Sequence, residues 1–182
     1  MKRIFDLTFS IIAFFVFAIP ILIIILIIKF ISKHPVIFKQ NRIGYHKHNF
    51  EIYKFQTMVN EKVTPFGAIL RKTGIDELPQ FVNVFKGDMS IVGPRAITEF
   101  DIKRLGWDTE YYSKRWNVKP GISGYAQIYG GQNKKTSWFW DMKYVSKSGI
   151  ITDFSIIFIS FLMNLFGKKR IRNIIWPHKK LK

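Results

Sequence analysis

The sequence of 182 residues contains no cysteine, and acidic residues are scarce. The absence of cysteine excludes disulfides, thiolate nucleophiles and zinc sites built on sulfur, and it is compatible with a reducing compartment. Twelve Asp and Glu stand against 29 Lys and Arg, which gives a formal net charge of +17. A positive field of this size attracts phosphate groups, so nucleic acid, anionic lipid headgroups and nucleotide-like substrates are the partner classes to consider.

Several motifs of common enzyme classes are also missing. There is no glycine-rich nucleotide-binding motif and no zinc-hydrolase motif, and the four histidines show no metal-ligand spacing. Hydrophobic residues make up 48% of the chain, which excludes a disordered protein. The length is typical of one domain with a modest core.

Residues 7–28 form an unbroken stretch without a charge. As a straight helix these 22 residues would measure about 33 Å, which matches the hydrocarbon core of a bilayer. No small-residue cleavage site follows the stretch, so a cleaved signal peptide is a poor interpretation. The simplest interpretation is a membrane helix that crosses once.

Two features favour instead a helix that enters the membrane and returns to the same face. Pro20 removes one backbone hydrogen bond near the middle and predicts a kink. Both ends of the stretch carry basic residues, which the positive-inside rule places on the cytoplasmic side: Lys2, Arg3, Lys29, Lys33 and Lys39. We therefore predict a re-entrant helix–break–helix over residues 1–34 and a small cytoplasmic α/β domain over residues 35–182. Re-entrant backbone normally needs shielding by protein.

The C-terminal part contains a second apolar segment, residues 154–166, which is too short to span a membrane. Residues 168–182 follow with seven Lys or Arg and no acid. We predict an amphipathic helix that lies on the membrane surface, with a buried core helix as the alternative. Basic flanks beside a membrane segment favour anionic lipid by about 1 kcal/mol per charge, so we do not expect nucleic acid as the partner.

The remaining patterns predict an α+β fold that is mostly helical. Residues 36–53 are typical of a β-hairpin that turns at Gly44 and the polar residues after it. Residues 119–129 are glycine-rich and predict a loop with a short strand. The spacing of apolar residues predicts further helices over residues 66–72, 76–85, 99–116 and 138–145.

The ends of the first two of these helices carry recognisable signals. Thr64 is suited to cap the helix over residues 66–72 ahead of Pro65, and Asp76 is suited to cap the next. Pro79 then lies in the first turn of that second helix, and Gly87 ends it.

Three segments contain side chains suited to phosphate chemistry. Asp76 and Glu77 are adjacent carboxylates close to Arg71, and an Asp near cations stays ionised, as a nucleophile or a metal ligand must. Asp76 as a simple helix cap is the alternative. Arg95 follows a Gly-Pro turn and presents a planar donor fork that suits a phosphate, unless it is an ordinary exposed arginine. Residues 119–127 are suited to bring backbone amides close to an anion, with a generic surface loop as the alternative.

These segments belong to an ordered series of short blocks that covers most of the chain. It includes Lys-Phe-Gln-Thr-Met at 54–58, Asp-Glu-Leu-Pro-Gln at 76–80, Val-Gly-Pro-Arg at 92–95 and Pro-Gly-Ile-Ser-Gly at 120–124. Further matching residues lie within 2–6, 35–44, 70–71, 83–90, 126–127 and 141–145, together with Pro20. The series closely resembles the bacterial sugar transferase family, the monotopic phosphoglycosyl transferases of polyprenol-linked glycan synthesis.

The resemblance implies a transfer in two steps. Asp76 would attack the β-phosphate of a UDP-sugar, expel UMP and hold the phosphosugar covalently. Polyprenyl (undecaprenyl) phosphate would then accept the phosphosugar and give polyprenyl-diphosphate-sugar. The reaction would start a surface glycan on the cytoplasmic face of the bacterial inner membrane, before downstream glycosyltransferases, with an N-acetylated amino sugar slightly favoured over a plain hexose.

The resemblance also assigns roles to individual residues. Asp76 and Glu77 would be catalytic, with Mg²⁺ as the cofactor, Asp76 as its protein ligand and Glu77 assisting proton or metal handling. The substrate and its phosphates would be bound by five further side chains: Arg71, Arg95, Arg42, Lys54 and Gln127. Phosphoryl transfer needs in-line positioning, a metal and cations more than elaborate acid–base chemistry, which agrees with this set.

The sequence departs from the family pattern at a few positions. Gln56 and Ala96 replace the usual Arg and Pro of their blocks, Ile19 precedes Pro20 where some members have Ser, and residues 131–133 also differ. The connection over residues 58–64 is short. Two non-catalytic alternatives therefore stay open: a homologue that acts as a membrane scaffold, and a basic module that binds membrane or nucleic acid.

Overall fold

The computed structural model describes residues 1–31, 34–129 and 134–175. As predicted, the chain is mostly helical with short strands. The helices are α1 Lys2–Ile31, α2 Pro65–Thr73, α3 Gln80–Lys86, α4 Glu99–Leu105, α5 Tyr125–Tyr129, α6 Lys134–Lys147, α7 Ile150–Phe166 and α8 Lys168–Ile175. The strands are β1 Ile37–Ile43, β2 Asn49–Phe55, β3 Met58–Val59, β4 Lys62–Val63, β5 Ser90–Val92 and β6 Gly121–Ser123. The predictions about Lys33, residues 131–133 and the end of the basic tail fall outside the described residues, and the division at residue 34 stays a prediction.

The predicted hairpin is confirmed and forms one wall of the molecule. Strands β1 and β2 pair antiparallel from Ile37 opposite Phe55 to Ile43 opposite Asn49. The turn between them begins at Gly44, where an added Cβ would lie 3.0 Å from the Phe50 ring. A parallel pairing between β5 and β6 joins residues that are 31 positions apart, such as Ser90 and Gly121, and brings the Val-Gly-Pro-Arg block beside the glycine-rich segment.

Helix α2 has the predicted N-terminus, because the Thr64 hydroxyl accepts from the Gly67 N–H at 2.9 Å and Pro65 occupies the first turn. It ends at Gly74, whose φ of 73° is in the left-handed region that favours glycine. A tight 3₁₀ turn, Ile75–Glu77, follows directly.

The prediction that Asp76 caps the next helix is wrong. Helix α3 begins only at Gln80, with Pro79 at the cap position, and ends at Gly87 as predicted. Since Pro79 has no N–H to donate to the preceding carbonyls, the turn that holds Asp76 does not continue into α3.

Two other helix predictions need correction. The single helix predicted over residues 99–116 is divided at Gly106, where a φ of 59° ends α4, and a 3₁₀ segment, Glu110–Asn117, follows after a short connection. The glycine-rich segment contains the predicted strand, but its last residues form α5 rather than loop. The helices predicted at 138–145 and 154–166 are confirmed as parts of the longer α6 and α7.

Helix α1 is apolar and largely uncovered. It remains helical through Pro20, so the predicted break does not interrupt it, because a proline removes only one hydrogen bond of the ladder. By length and composition it is suited to cross a membrane, and only 17% of its most apolar window is buried. An apolar helix of this kind is normally buried, either in a protein core or in lipid.

Both ends of α1 nevertheless contact the rest of the chain. Near its start, the Asp6 carboxylate accepts from the Ser90 hydroxyl at 2.9 Å and from the Ile91 N–H at 3.0 Å. Near its end, Ile24 and Ile28 are buried in a cluster with Phe55, Leu70 and their neighbours. Most of the exposed apolar residues of α1 lie between these two contacts, among them Phe14, Phe15, Val16 and Ile19.

Replacing Asp6 by Ala should lower the free energy of unfolding by about 1–3 kcal/mol, because two buried donors on β5 lose their acceptor. Thermal unfolding of the detergent-purified protein measures the effect. Thr8→Ala, at an exposed position of the same helix, is the control and should stay within about 0.5 kcal/mol of the wild type. Equal melting of the two variants would mean that the Asp6 hydrogen bonds do not stabilise the fold.

Helix α7 combines a buried side with an exposed apolar side. Ile156 and Met163 are buried in the main core, which also contains Val84, Val92 and Tyr144. On the opposite side, at spacings of three and four residues, large apolar side chains are exposed: Phe154, Phe158, Phe161 and Leu165. One side of α7 is therefore buried in the core, as the alternative to a membrane-surface helix supposed. Contact of the other side with the membrane stays a prediction.

Candidate active site

A cavity of about 690 Å³ opens beside the hairpin, where the turn after α2 meets α7 and α8. It is lined by all seven residues predicted for the site: Arg42, Lys54, Arg71, Asp76, Glu77, Arg95 and Gln127. Phe17 of the apolar helix α1 also lines it. The cavity therefore brings the two carboxylates and the cations together at a place that borders the uncovered apolar helix.

The two carboxylates have different surroundings. Glu77 forms an ion pair with Lys54, with Oε1 and Nζ 2.5 Å apart. Asp76 is only 8% exposed and forms no ion pair with any described residue. Burial raises the pKa of Asp76, and the charge of Glu77 raises it further, while Lys54 and Arg71 act in the opposite direction. A poorly solvated carboxylate without a direct counterion is suited to attack an electrophile.

Arg71 and Arg42 are fixed by polar contacts within the site. The Arg71 Nε donates to the buried Thr57 hydroxyl at 2.8 Å. The Arg42 Nη2 donates to the Gln40 Oε1 at 2.6 Å, whereas its Nε is buried without a partner among the described residues. Burial lowers the pKa of Arg42, and the charge of Arg95 lowers it further. Two close guanidinium groups with an unused donor favour an anionic ligand such as a diphosphate.

Arg95 depends on a buried ion pair that the sequence did not identify as part of the site. The Arg115 Nε lies 2.7 Å from the Asp141 Oδ2, and both side chains are 2% exposed. Arg115 also donates to the Arg95 carbonyl, and its guanidinium group lies over the rings of Trp107 and Trp116. Asp141 was part of a matching block but had no assigned role, and Arg115 gave no signal, because only the folded chain brings these residues together.

The glycine-rich segment positions the site through close backbone packing. An added Cβ would lie 2.0 Å from the Gly93 nitrogen at Gly121, and 2.1 Å from the Gly93 carbonyl oxygen at Gly124. The predicted use of the amides of residues 119–127 for an anion is not supported at Gly121, and the amide of Gly93 in the neighbouring block is also engaged. The Gly93 N–H donates to the Ser123 carbonyl and the Gly121 N–H to the Pro94 carbonyl, both at 2.9 Å. The segment therefore holds the block that contains Arg95, while Gln127 presents a buried Oε1 without a partner among the described residues.

Replacing Gly121 by Ala should separate β5 from β6 and abolish the native packing of the site, since the new methyl group would overlap backbone atoms. Overpacking of this kind costs about 1–3 kcal/mol or more. Gly149→Ala is the matched control, because its φ of 173° is extended backbone and no atom lies within 4 Å of an added Cβ. Thermal unfolding and ligand-free circular dichroism compare the two variants. Equal stability would contradict the close approach at Gly121.

The family described as bacterial sugar transferase matches residues 1–167. The chain belongs to this family.

Similar proteins come from several bacteria. The sugar transferase EpsL of Bacillus subtilis is 39% identical over 79% of this chain and 74% of its own length. The UDP-N-acetylgalactosamine-undecaprenyl-phosphate N-acetylgalactosaminephosphotransferase of Aeromonas hydrophila is 34% identical over 93% of this chain and 45% of its length. The UDP-glucose:undecaprenyl-phosphate glucose-1-phosphate transferase of Escherichia coli is 34% identical over 80% of this chain and 36% of its length. The chain thus spans less than half of these last two relatives.

Two of the residues that depart from the expected blocks lie at the cavity. Gln56 lines the cavity and donates to the Met58 carbonyl at 2.5 Å, so it is engaged with the backbone where the family has a charge. Ala96 is buried at the cavity wall, and its carbonyl lies 3.4 Å from the Arg42 Nη1.

The structure also adds wall residues that the sequence did not indicate. They come from α7 and the start of α8: Ser160, Met163, Asn164 and Lys168. The Ser160 hydroxyl lies 2.5 Å from that of Ser123, which joins α7 to the glycine-rich segment.

Proposed function

We propose that this protein transfers a sugar-1-phosphate from a UDP-sugar to polyprenyl phosphate, giving polyprenyl-diphosphate-sugar and UMP. The observation that carries the proposal is the convergence of Asp76 and Glu77 with five cationic side chains in one cavity beside an uncovered apolar helix. A nucleotide diphosphate needs the cations, and a lipid acceptor needs the apolar border. The names of the Aeromonas and Escherichia relatives describe this reaction with N-acetylgalactosamine and with glucose.

In the first step, an Asp76 carboxylate oxygen attacks the β-phosphorus of the UDP-sugar. A new P–O bond forms, the bond from that phosphorus to the bridging oxygen breaks, and UMP leaves with the bonding pair. In the second step, a phosphate oxygen of the polyprenyl phosphate attacks the same phosphorus and the Asp76 carboxylate is released. A carboxylate nucleophile of this kind divides one difficult displacement into two easier ones.

The other side chains bind and orient the substrates. The charge of Arg95 contributes to the lowered pKa of Arg42, and the two guanidinium groups together are suited to the diphosphate. Lys54 forms an ion pair with Glu77. Because Glu77 is adjacent to Asp76, it lies near the reacting atoms and assists proton transfer. Gln127 offers a buried amide oxygen as an acceptor for a donor group of the substrate.

The carboxylate pair also fits a magnesium ion. Mg²⁺ usually binds through one or two carboxylates together with substrate phosphates and water. Among the described residues, no group of three or more acidic or histidine side chains could hold a metal ion. The protein would therefore contribute few ligands, namely Asp76 with Glu77 beside it. When bound, the ion would neutralise charge on the diphosphate.

The contacts of α1 support a membrane anchor whose two ends lie on one face of the bilayer. Asp6 at one end and Ile28 at the other both pack on the same globular part of the chain. A helix that crossed the bilayer would have its ends on opposite faces, where one small domain cannot contact both. With UDP-sugars supplied by the cytoplasm, the cavity belongs on the cytoplasmic face of the inner membrane, and the first step of surface glycan synthesis would occur there.

Release of UMP tests the proposed function. The detergent-purified protein is incubated with Mg²⁺ and a panel of UDP-sugars, including UDP-glucose, UDP-galactose and their N-acetylated amino forms, with and without undecaprenyl phosphate. With the correct donor we expect one UMP per enzyme without acceptor and repeated turnover with it. If no donor of the panel releases UMP under either condition, the protein is not a transferase of this class.

The rate of the first step should fall at acidic pH, with a midpoint above the usual value for an aspartate. The reason is that only ionised Asp76 can attack, and burial and Glu77 both raise the pKa of Asp76. Glu77→Gln should move this midpoint to lower pH, because one of the two causes is removed. The measurement is the rate of the first UMP released as a function of pH. An unchanged midpoint would show that the titration belongs to another group.

A further inference from the structure

A second, open cavity lies next to the catalytic one, between α2 and the junction of α7 and α8. Its volume is about 620 Å³, and it is lined by Arg71, Lys72, Phe166, Gly167, Lys168, Lys169, Arg170 and Asn173. Two of these residues, Arg71 and Lys168, also line the catalytic cavity. We call the second cavity the basic groove, and these two shared side chains form its boundary with the active site.

The basic groove carries positive charge that no described acidic residue neutralises through an ion pair. Five of its eight lining residues are Lys or Arg, and none is acidic. Within the described residues, none of the five forms an ion pair. Clustered cations without counterions favour a ligand with more than one negative charge, and a phosphate monoester meets this requirement.

The groove also has an apolar border. Phe166 lines one end of it and is half exposed. Next to Phe166 along α7 lies the exposed apolar side of that helix, with Phe158, Phe161 and Leu165. A ligand whose phosphate lies among the cations can therefore place a hydrocarbon chain along α7. This combination describes a lipid phosphate rather than a soluble anion.

The chemistry of the second step explains why such a site is useful. Each displacement occurs in line, so the attacking oxygen of the acceptor must take the position that the UMP oxygen leaves. The acceptor phosphate cannot occupy its reactive position while UMP is bound. A neighbouring cationic site holds it close, and Arg71 and Lys168 bridge the path into the catalytic cavity.

We propose that the basic groove is the docking site for the phosphate of the polyprenyl phosphate acceptor, from which it enters the catalytic cavity after UMP has left. The inference rests on the proposed function and names a separate subsite for the second substrate. Lys169 and Arg170 belong to the groove alone, so their removal should weaken acceptor binding without disturbing the attack by Asp76.

The test compares K169Q/R170Q with the wild type in nanodiscs that contain only phosphatidylcholine and graded amounts of undecaprenyl phosphate. We expect the KM for the acceptor to rise roughly tenfold or more, as for the loss of two charges near a lipid surface. The single UMP released per enzyme without acceptor should be unchanged in amount and rate. The control K103Q/K147Q removes two charges at exposed positions outside both cavities and should leave both quantities unchanged.

Each outcome separates the docking proposal from the proposed function. Absence of UMP release by the wild type overturns the proposed function itself. Normal UMP release with an unchanged acceptor KM, or with the same change in the control, overturns the docking site. A change in KM that appears only when phosphatidylglycerol is added shows that the groove binds anionic phospholipid, which also overturns it. If the double variant releases no UMP, K169Q alone is measured in the same way.

Discussion

Asp76→Asn should reduce UMP release to the background level, a loss of at least about 10³-fold, which is typical when a nucleophile that forms a covalent intermediate is removed. The amide has the size of the carboxylate but cannot form the bond to phosphorus. Asp76 is buried in the cavity wall without a direct counterion among the described residues. The adjacent carboxylate, Glu77, is paired with Lys54, so we do not expect it to replace Asp76 as the nucleophile. Labelling with a donor that carries ³²P in its β-phosphate should mark the wild type and leave the variant unlabelled.

Stability provides the second measurement for the same variant. Because burial and Glu77 raise the pKa of Asp76, the folded chain binds this proton more tightly than the unfolded chain does. Stability contributed by this group therefore falls as the pH rises through the interval between the two pKa values, and ionised Asp76 destabilises the fold at neutral pH. Asp76→Asn should melt at the same temperature as the wild type or higher. A lower melting temperature would attribute the lost activity to unfolding.

Asp108→Asn is the matched control for this substitution. Asp108 is exposed and does not line either cavity, so removal of its charge should leave both UMP release and melting unchanged. If Asp76→Asn and Asp108→Asn release UMP at equal rates, the covalent mechanism is wrong.

Local signals were sufficient for those elements that depend on neighbouring residues. The hairpin was predictable because turn-forming residues at Gly44 and after it separate two strand-like segments, and α2 because Thr64 and Pro65 give a helix its start. The same reasoning failed at Asp76, which has the chemistry of a cap but precedes a proline whose missing N–H interrupts the helix. The prediction of one helix over residues 99–116 failed at Gly106, because the helical spacing of apolar residues continues although Gly106 adopts a left-handed conformation that ends α4.

The candidate site was predicted from ordered blocks, and its assembly depends on contacts between distant parts of the chain. The parallel pairing of β5 and β6 joins two of these blocks, which no periodicity indicates. Lys168 and the neighbouring wall of α7 were missed because that segment reads as an apolar helix with a basic end. Only the folded chain shows that one side of α7 lines the cavity, where the Ser160 hydroxyl contacts that of Ser123.

Breaking the buried pair of Arg115 and Asp141 should cause a large loss of stability. Asp141→Leu leaves the Arg115 charge buried without its partner, and the free energy of unfolding should fall by about 3–5 kcal/mol. Both side chains are 2% exposed, so water cannot replace the missing carboxylate. Thermal or denaturant unfolding in detergent measures the loss. A decrease below about 1 kcal/mol would be typical of an exposed pair and would contradict the burial.

The double variant Arg115→Met/Asp141→Leu separates the structural role of this pair from its effect on the site. Replacing both partners of a buried ion pair by apolar residues is often nearly neutral, and the rings of Trp107 and Trp116 beside Arg115 offer an apolar wall. Most of the stability should therefore return. The Arg95 carbonyl still lacks the donor that Arg115 supplied, so the Arg95 side chain is less well placed for the diphosphate.

We accordingly expect the double variant to have near-native melting but a value of kcat/KM for the UDP-sugar lowered on the order of 10²-fold, the effect of misplacing a substrate-binding group by about 1 Å. Recovery of both melting and kcat/KM would show that the ion pair acts on stability alone. Recovery of melting without kcat/KM would identify Arg115 as a positioning residue, which acts on the substrate through the backbone that carries Arg95.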